Sequence, residues 1–231
     1  MNNMLTAITG NLYLARHGKA GDDVVEKLEA AEKQSFAAAE MIDQLLTFSK
    51  QGMVDLQALP MDSFLEEAVR LVSVSLPDEI QLDTRVEATE LLVHGDATML
   101  REVLHSVIDN ARDAVAEIEH PMITVGLERW RADDKFIEAH EGAREGEYAH
   151  IWISDNGCGI REDHLDHIFE PFFTTKPVGQ GSGLGLAMSF GAVQTHGGFM
   201  DIDSAIGCGT SVHIYIPLIR GLERSADQPD D

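Results

Sequence analysis

Basic residues are scarce in this chain: 17 lysines and arginines stand against 40 aspartates and glutamates, a formal net charge of −23 over 231 residues. Such a balance argues against a nucleic-acid binder, which carries a basic stripe or an overall basic charge. Any phosphate-bearing ligand then needs local positive charge, from Lys176, Arg112 or a bound metal, to offset the acidic field. Long apolar runs are missing as well. None approaches the roughly 18 residues that a membrane-spanning helix needs, and the N-terminus has no basic-then-apolar secretion signal. The expectation is a soluble, cytoplasmic protein whose membrane sensor, if it has one, lies elsewhere. Cysteine is limited to Cys158 and Cys208, each between two glycines, and they are expected to be small, reduced side chains rather than a disulfide framework. Hydrophobic residues make up 44% of the chain, too many for a disordered protein.

Periodicity divides the chain into a helical hairpin and a mixed domain. Leu5, Ile8, Leu12 and Ala15 recur at helical spacing, and Gly18 to Gly21 interrupts them. Val24, Leu28, Ala31, Ala38, Ile42, Leu45 and Leu46 then form a second stripe close to a heptad repeat. Two short helices bury too little apolar surface alone, so a homodimer through residues 3–50, as a four-helix bundle, is expected. Residues 1–51 are assigned to this hairpin and 52–60, where periodicity is lost, to a linker. Residues 61–219 are assigned to a second domain and 220–231 to a polar, disordered tail. Within the second domain Asp62 is expected to cap a helix ending near Ser75, and Asp96 to cap a long one through Leu100, Leu104, Ile108 and Ala111. Strands are expected over Leu82–Val86, Leu91–His94, Met122–Arg129, Tyr148–Ser154, Phe199–Ser204 and Thr210–Ile216, with a polar acidic insert between the third and fourth. A further helix follows Gly183. The fold class is α+β: a hairpin, then an α/β sandwich with a mixed sheet and helices on one face.

Two glycine clusters carry the chemistry. Asp155-Asn-Gly157-Cys-Gly159-Ile160 offers a carboxylate acceptor for an exocyclic amine, and its alternating glycines let backbone approach a flat ring. Gly181-Ser-Gly183-Leu184-Gly185-Leu186 opens an apolar, helix-like run, where free N–H groups and the helix dipole favour phosphate. Together they suggest a purine nucleotide. Asn110, on the polar side of the long helix, has an amide oxygen suited to Mg²⁺, which keeps several waters and binds few protein groups beside phosphate oxygens.

Asn110-Ala111, Asp155-x-Gly157-x-Gly159, Phe169-Glu-Pro-Phe-Phe173 and Gly181-x-Gly183-Leu-Gly185 resemble the N, G1, F and G2 boxes of sensor histidine kinases, in that family's order. Asn2 to Leu12 resembles the first helix of its dimerisation and phosphoacceptor domain, and Leu45-Leu-Thr-Phe-Ser49 the end of the second. The resemblance spans residues 2 to about 217 and is strongest to kinases with an attached receiver domain. It implies an ATP-binding domain of the gyrase and histidine-kinase type. Asp155 would bind the adenine amino group, Gly157 and Gly159 would line the base, and Thr210 would support the contact. Asn110 would hold Mg²⁺, and Gly181, Gly183, Leu184 and Gly185 would meet the phosphates within a lid over about Thr174–Ser182. Phe169, Phe172 and Phe173 would anchor that lid, with Lys176 a candidate phosphate partner. ATP, Mg²⁺ and a response-regulator receiver domain are the implied ligands and partner.

Two departures from the family pattern bear on turnover. The family places a His and an acidic residue just before the segment matching Met1-Asn2-Asn3, and the sequence as numbered begins after them. The nearest histidine, His17, is followed by Gly18 at the far end of the helix and is a poor acceptor. Ser106, one turn before Asn110, stands where relatives carry Asn, His or Glu; a serine is a weaker ligand and no base at neutral pH. The expectation is a chain that binds Mg-ATP without phosphorylating itself. The alternative is a regulator that dimerises, binds nucleotide or a receiver domain, and signals by shape. A gyrase- or chaperone-type ATPase is disfavoured by the hairpin and the Phe-rich box.

Overall fold

The computed structural model describes residues 54–86, 90–177 and 181–219, with six N-terminal positions (Ile8, Leu12, Tyr13, Val24, Leu28 and Ala31), all helical. The rest of the expected hairpin, its dimer seam, His17, the tail from residue 220 and the middle of the expected lid at 178–180 lie outside the described residues. The chain forms two compact units, residues 1–54 with 170–184 and residues 55–169 with 185–231.

The larger unit is built in the order β1 (Gln57–Pro60), α1 (Met61–Ser73), β2 (Gln81–Val86), β3 (Leu92–Gly95), α2 (Ala97–Ala114), β4 (Met122–Arg131), α3 (Asp134–Ala139), β5 (Glu147–Asp155), α4 (Glu162–Leu165), α5 (Gly185–Thr195), β6 (Phe199–Ala205) and β7 (Gly209–Pro217). Its main sheet runs β2-β4-β5-β7-β6. Only β2 and β4 are parallel; the other neighbours are antiparallel, so the sheet is mixed as expected. A second ladder pairs β1 with β3. β1 was invisible to periodicity because it is four residues long and ends in proline, which cannot donate to a ladder. Those residues had fallen in the expected linker.

Period-2 alternation puts Ile151 and Ile153 of β5 with Val212, Ile214 and Ile216 of β7 on the face that α1, α2 and α5 cover. The stripe Leu100, Val103, Leu104, Val107, Ile108 and Ala111 of α2 packs there. Asp96 caps α2 as expected, accepting from the backbone N–H of Thr98 at 2.9 Å and of Met99 at 3.1 Å. His196 holds the same corner. Its Nδ1 donates to Ala192 O at 2.7 Å while its Nε2 accepts from Asp96 N at 2.9 Å, so only the neutral Nδ1–H tautomer satisfies both bonds. Asp62 is not a cap. Pro60 occupies the N-cap position of α1, and Asp62 lies in its first turn without a capping bond.

The other face of the sheet is covered too, contrary to the one-sided arrangement expected. Trp130, Tyr148, Phe199 and Tyr215 project from four strands onto Phe136 of α3, with ring centroids 4.6–5.8 Å from it. Beside this layer the buried His150 bonds Glu128 at 2.8 Å and His213 at 3.0 Å. Burial pushes the His150 imidazole below its ordinary value, the neighbouring His213 adds to this, and Glu128 opposes it. The unfolded chain therefore binds a proton that the native state resists. Stability from this site is complete above about pH 6.5 and is lost as pH falls below it. Urea midpoints compared at pH 7.5 and 5.5 should show the drop, and a His150→Gln variant should flatten it.

Candidate nucleotide site

Three strand ends and one helix stripe make the site in the larger unit. Asp155, Thr210 and Ser204 stand in register across β5, β7 and β6. Asp155 Oδ1 accepts from Gly157 N at 2.8 Å and from Thr210 N at 3.3 Å. Burial raises the carboxyl above its usual range, and these two N–H groups pull it back toward ionisation. The carboxylate is thus fixed through one oxygen, which leaves the other as an acceptor.

The glycines are demanded by contact. A Cβ on Gly159, where φ is +70°, would lie 2.0 Å from Ala205 O. One on Gly157 would lie 2.5 Å from Ala114 O, and Ala114 O also accepts from Cys158 N at 3.1 Å. The Asp155–Gly159 loop is in this way pressed between the end of α2 and the β6–β7 turn. Cys158 and Cys208 are both free thiols.

Ser106, Asn110 and Ala114 recur every four residues along one face of α2. At one end Ala114 meets Gly157. At the other, a Cβ on Gly185 would lie 2.7 Å from Ser106 Oγ, so the N-terminus of α5 abuts Ser106. At 1.5 Å per residue the stripe is about 12 Å long, about the reach from a purine to its phosphates, with Asn110 in the middle. Its amide oxygen is a hard donor that fits Mg²⁺. Among the described residues no group of three His, Cys, Asp or Glu offers a metal site instead. Gly185→Ala should weaken nucleotide binding about tenfold by displacing the helix start. Adding Ser106→Ala should restore it, because Ser106 Cβ would then be 4.0 Å from the new methyl, an ordinary contact. Calorimetric titration of the single and double variants measures this coupling.

The segment 170–184 belongs to the smaller unit. Phe172 N donates to Gly183 O at 2.8 Å, and a Cβ on Gly183 would lie 2.5 Å from the Phe172 carbonyl carbon. A Cβ on Gly181 would meet only side chains, Thr174 Oγ1 at 3.0 Å and Lys176 Cδ at 3.1 Å, and Leu184 N donates to Ser182 Oγ at 3.3 Å. Phe169, in the larger unit, packs on Phe190 at 4.6 Å. Phe172 differs from expectation: it is 49% exposed and holds Gly183 through backbone rather than as a buried anchor. Arg112, the other expected source of positive charge, has its guanidinium shared by Asp109 and Asp113. His105 pairs with Asp109 at 3.0 Å, one turn along its own face of α2. Ser204 was not singled out from sequence, since a serine near a strand end carries no signal until register places it beside Thr210.

Residues 95–220 match the family described as histidine kinase-, DNA gyrase B-, and HSP90-like ATPase. The chain belongs to this family. It carries the ATP-binding catalytic domain of sensor histidine kinases. The sensor kinase CckA of Brucella abortus is 33% identical over 230 residues, covering 99% of this chain and 24% of that protein. This chain spans about a fifth to less than half of the length of these curated kinases. Among solved structures, the mycobacterial sensor histidine kinase MprB is 26% identical with a TM-score of 0.55, covering 71% of this chain and 97% of that one. The histidine kinase ThkA in complex with the response regulator TrrA shares the fold, with a TM-score of 0.67 at 19% identity, covering 94% and 58%. No described helix of this ATPase domain is long and apolar enough to cross a membrane.

Proposed function

We propose that this chain is the phosphoryl-donor core of a two-component sensor kinase: it binds Mg-ATP and delivers the γ-phosphoryl to a histidine, from which a receiver aspartate takes it. The observation that carries this is the Ser106–Asn110–Ala114 stripe joining the Asp155 loop to the start of α5. Asp155 accepts from the adenine amine, with Gly157, Gly159 and Thr210 shaping that end. Asn110 holds Mg²⁺, which would neutralise charge on the phosphates. Backbone N–H groups of Gly181, Gly183, Leu184 and Gly185, with Lys176 near them, meet the phosphate oxygens.

The acceptor is a histidine with an acidic neighbour, which the resemblance places just before the segment matching Met1-Asn2-Asn3; His17 is not that residue. Residues 3–50 pair with those of a second copy, and ATP as the substrate puts the domain in the cytoplasm. The ThkA structure contains a response regulator, which supports a receiver domain as the partner here.

The test is Mg-ATP binding, followed by transfer of labelled γ-phosphate with and without a receiver domain. It uses the chain as numbered and a version with His-Asp-Phe joined ahead of Asn2. Binding by both and transfer by the extended version alone is the expected result. Absence of binding would refute the proposal. Ser106 favours the second reading, a regulator that signals by shape, because a hydroxyl cannot serve as the base. Binding by both versions with transfer by neither would establish it.

A further inference from the structure

Ser204 has more hydrogen-bond partners than it has protons. Its Oγ lies 3.0 Å from Gly209 O, 2.8 Å from Ile160 N and 2.9 Å from Thr210 Oγ1. A hydroxyl donates once and accepts twice. Gly209 O can only accept and Ile160 N can only donate, so their roles at Ser204 are fixed. The single Ser204 proton goes to Gly209 O. The remaining partner, the Thr210 hydroxyl, must then donate to Ser204 for all three contacts to be made. With its proton spent there, Thr210 Oγ1 has only lone pairs left.

This matters because Thr210 is the cross-strand neighbour of Asp155. Asp155 already has Oδ1 bound by two N–H groups, which leaves Oδ2 as a second acceptor. We propose that Ser204 is a specificity-determining positioning residue: by taking the Thr210 proton it makes the base end of the site all-acceptor, which favours a 6-amino purine and rejects a 6-oxo purine. An exocyclic amine has protons for such a site, whereas a carbonyl oxygen there faces lone pairs with no donor between them. A hydroxyl left to rotate could serve either base. Ser204 therefore acts without touching the nucleotide, through the direction of one proton. The inference rests on the ATP site proposed above and goes beyond it, since that reading names Asp155 as the contact and leaves the polarity of Thr210 open.

The test compares Mg-ATP with Mg-ITP, which differ at that position by amine against carbonyl, in calorimetric titrations of the full chain. Wild-type protein should prefer ATP strongly. In Ser204→Ala the Thr210 hydroxyl is released to donate, so the ATP-to-ITP affinity ratio should fall about tenfold, the scale of one hydrogen bond changing partner. Ser204→Thr keeps the hydroxyl and should keep the ratio. A purely structural role would weaken both nucleotides by the same factor, and an unchanged ratio in a folded Ser204→Ala would overturn the proposal. If that variant fails to fold, Thr210→Val decides: loss confined to ATP supports the assignment, and equal loss of both overturns it. Wild-type protein that binds ATP and ITP equally would overturn the specificity alone, while failure to bind either would remove the nucleotide site with it.

Discussion

Asp155→Asn should lower ATP affinity about a hundredfold, since a hydrogen bond to a charged group is worth about 1.5–3 kcal/mol and the replacement also turns an acceptor into a donor. The asparagine oxygen would keep the bonds from Gly157 N and Thr210 N, because those hold Oδ1 in the native protein. Its amide nitrogen would then face the ligand and present protons to an adenine amine that has only protons to offer. Folding should not suffer. Burial disfavours the Asp155 carboxylate, so a neutral side chain removes a cost from the native state. The signs with pH are opposite for the two properties. A carboxyl raised in the native state makes the nucleotide-free protein gain stability as pH falls through that raised value, while ATP affinity falls over the same range as the acceptor is protonated. Both proteins share the opposite loss from His150, so calorimetric titrations and urea melts between pH 4 and 7 should show the two Asp155 trends as the difference between wild-type protein and the variant. Unchanged ATP affinity would refute the role of Asp155.

Gly159→Ala should cost about 2–4 kcal/mol of stability and abolish measurable ATP binding. A left-handed backbone costs a residue with a Cβ about 1–2 kcal/mol, and the rest comes from displacing backbone in a packed loop. The displaced atom is Ala205 O, 2.0 Å from where the methyl would stand, and a main-chain carbonyl cannot swing aside as a side chain can. Gly207 supplies the control. Its φ is +74°, close to the +70° of Gly159, but nothing lies within 4 Å of its virtual Cβ. Gly207→Ala should therefore show the conformational cost alone, about 1–2 kcal/mol, with ATP binding kept. Denaturant midpoints of the two variants separate strain from collision, and equal losses would show that the Ala205 contact is unimportant.

Long, regular elements were legible in the sequence, and short or shared ones were not. α2 announced itself through apolar positions at helical spacing behind Asp96, and β4 and β5 through alternation. α3 did not, since its only buried side chain is Phe136 in a charged stretch and the rings receiving it come from four separate strands. Arg112 was named as a source of local positive charge, and the structure pairs it with Asp109 one turn back and with the adjacent Asp113. Asp155, Gly157, Gly159, Asn110 and Thr210 were all named from motif and resemblance.

By itself the sequence determined the composition of the site: an acceptor carboxylate, glycines where backbone must come close, and an amide on a helix face, each set by residue type and spacing. The pairing of β5 with β7 was decided only in three dimensions, and with it the row in which Asp155 stands beside Thr210 and Ser204. Pairing between strands about 50 residues apart depends on the whole core that aligns them. No local pattern encodes that alignment.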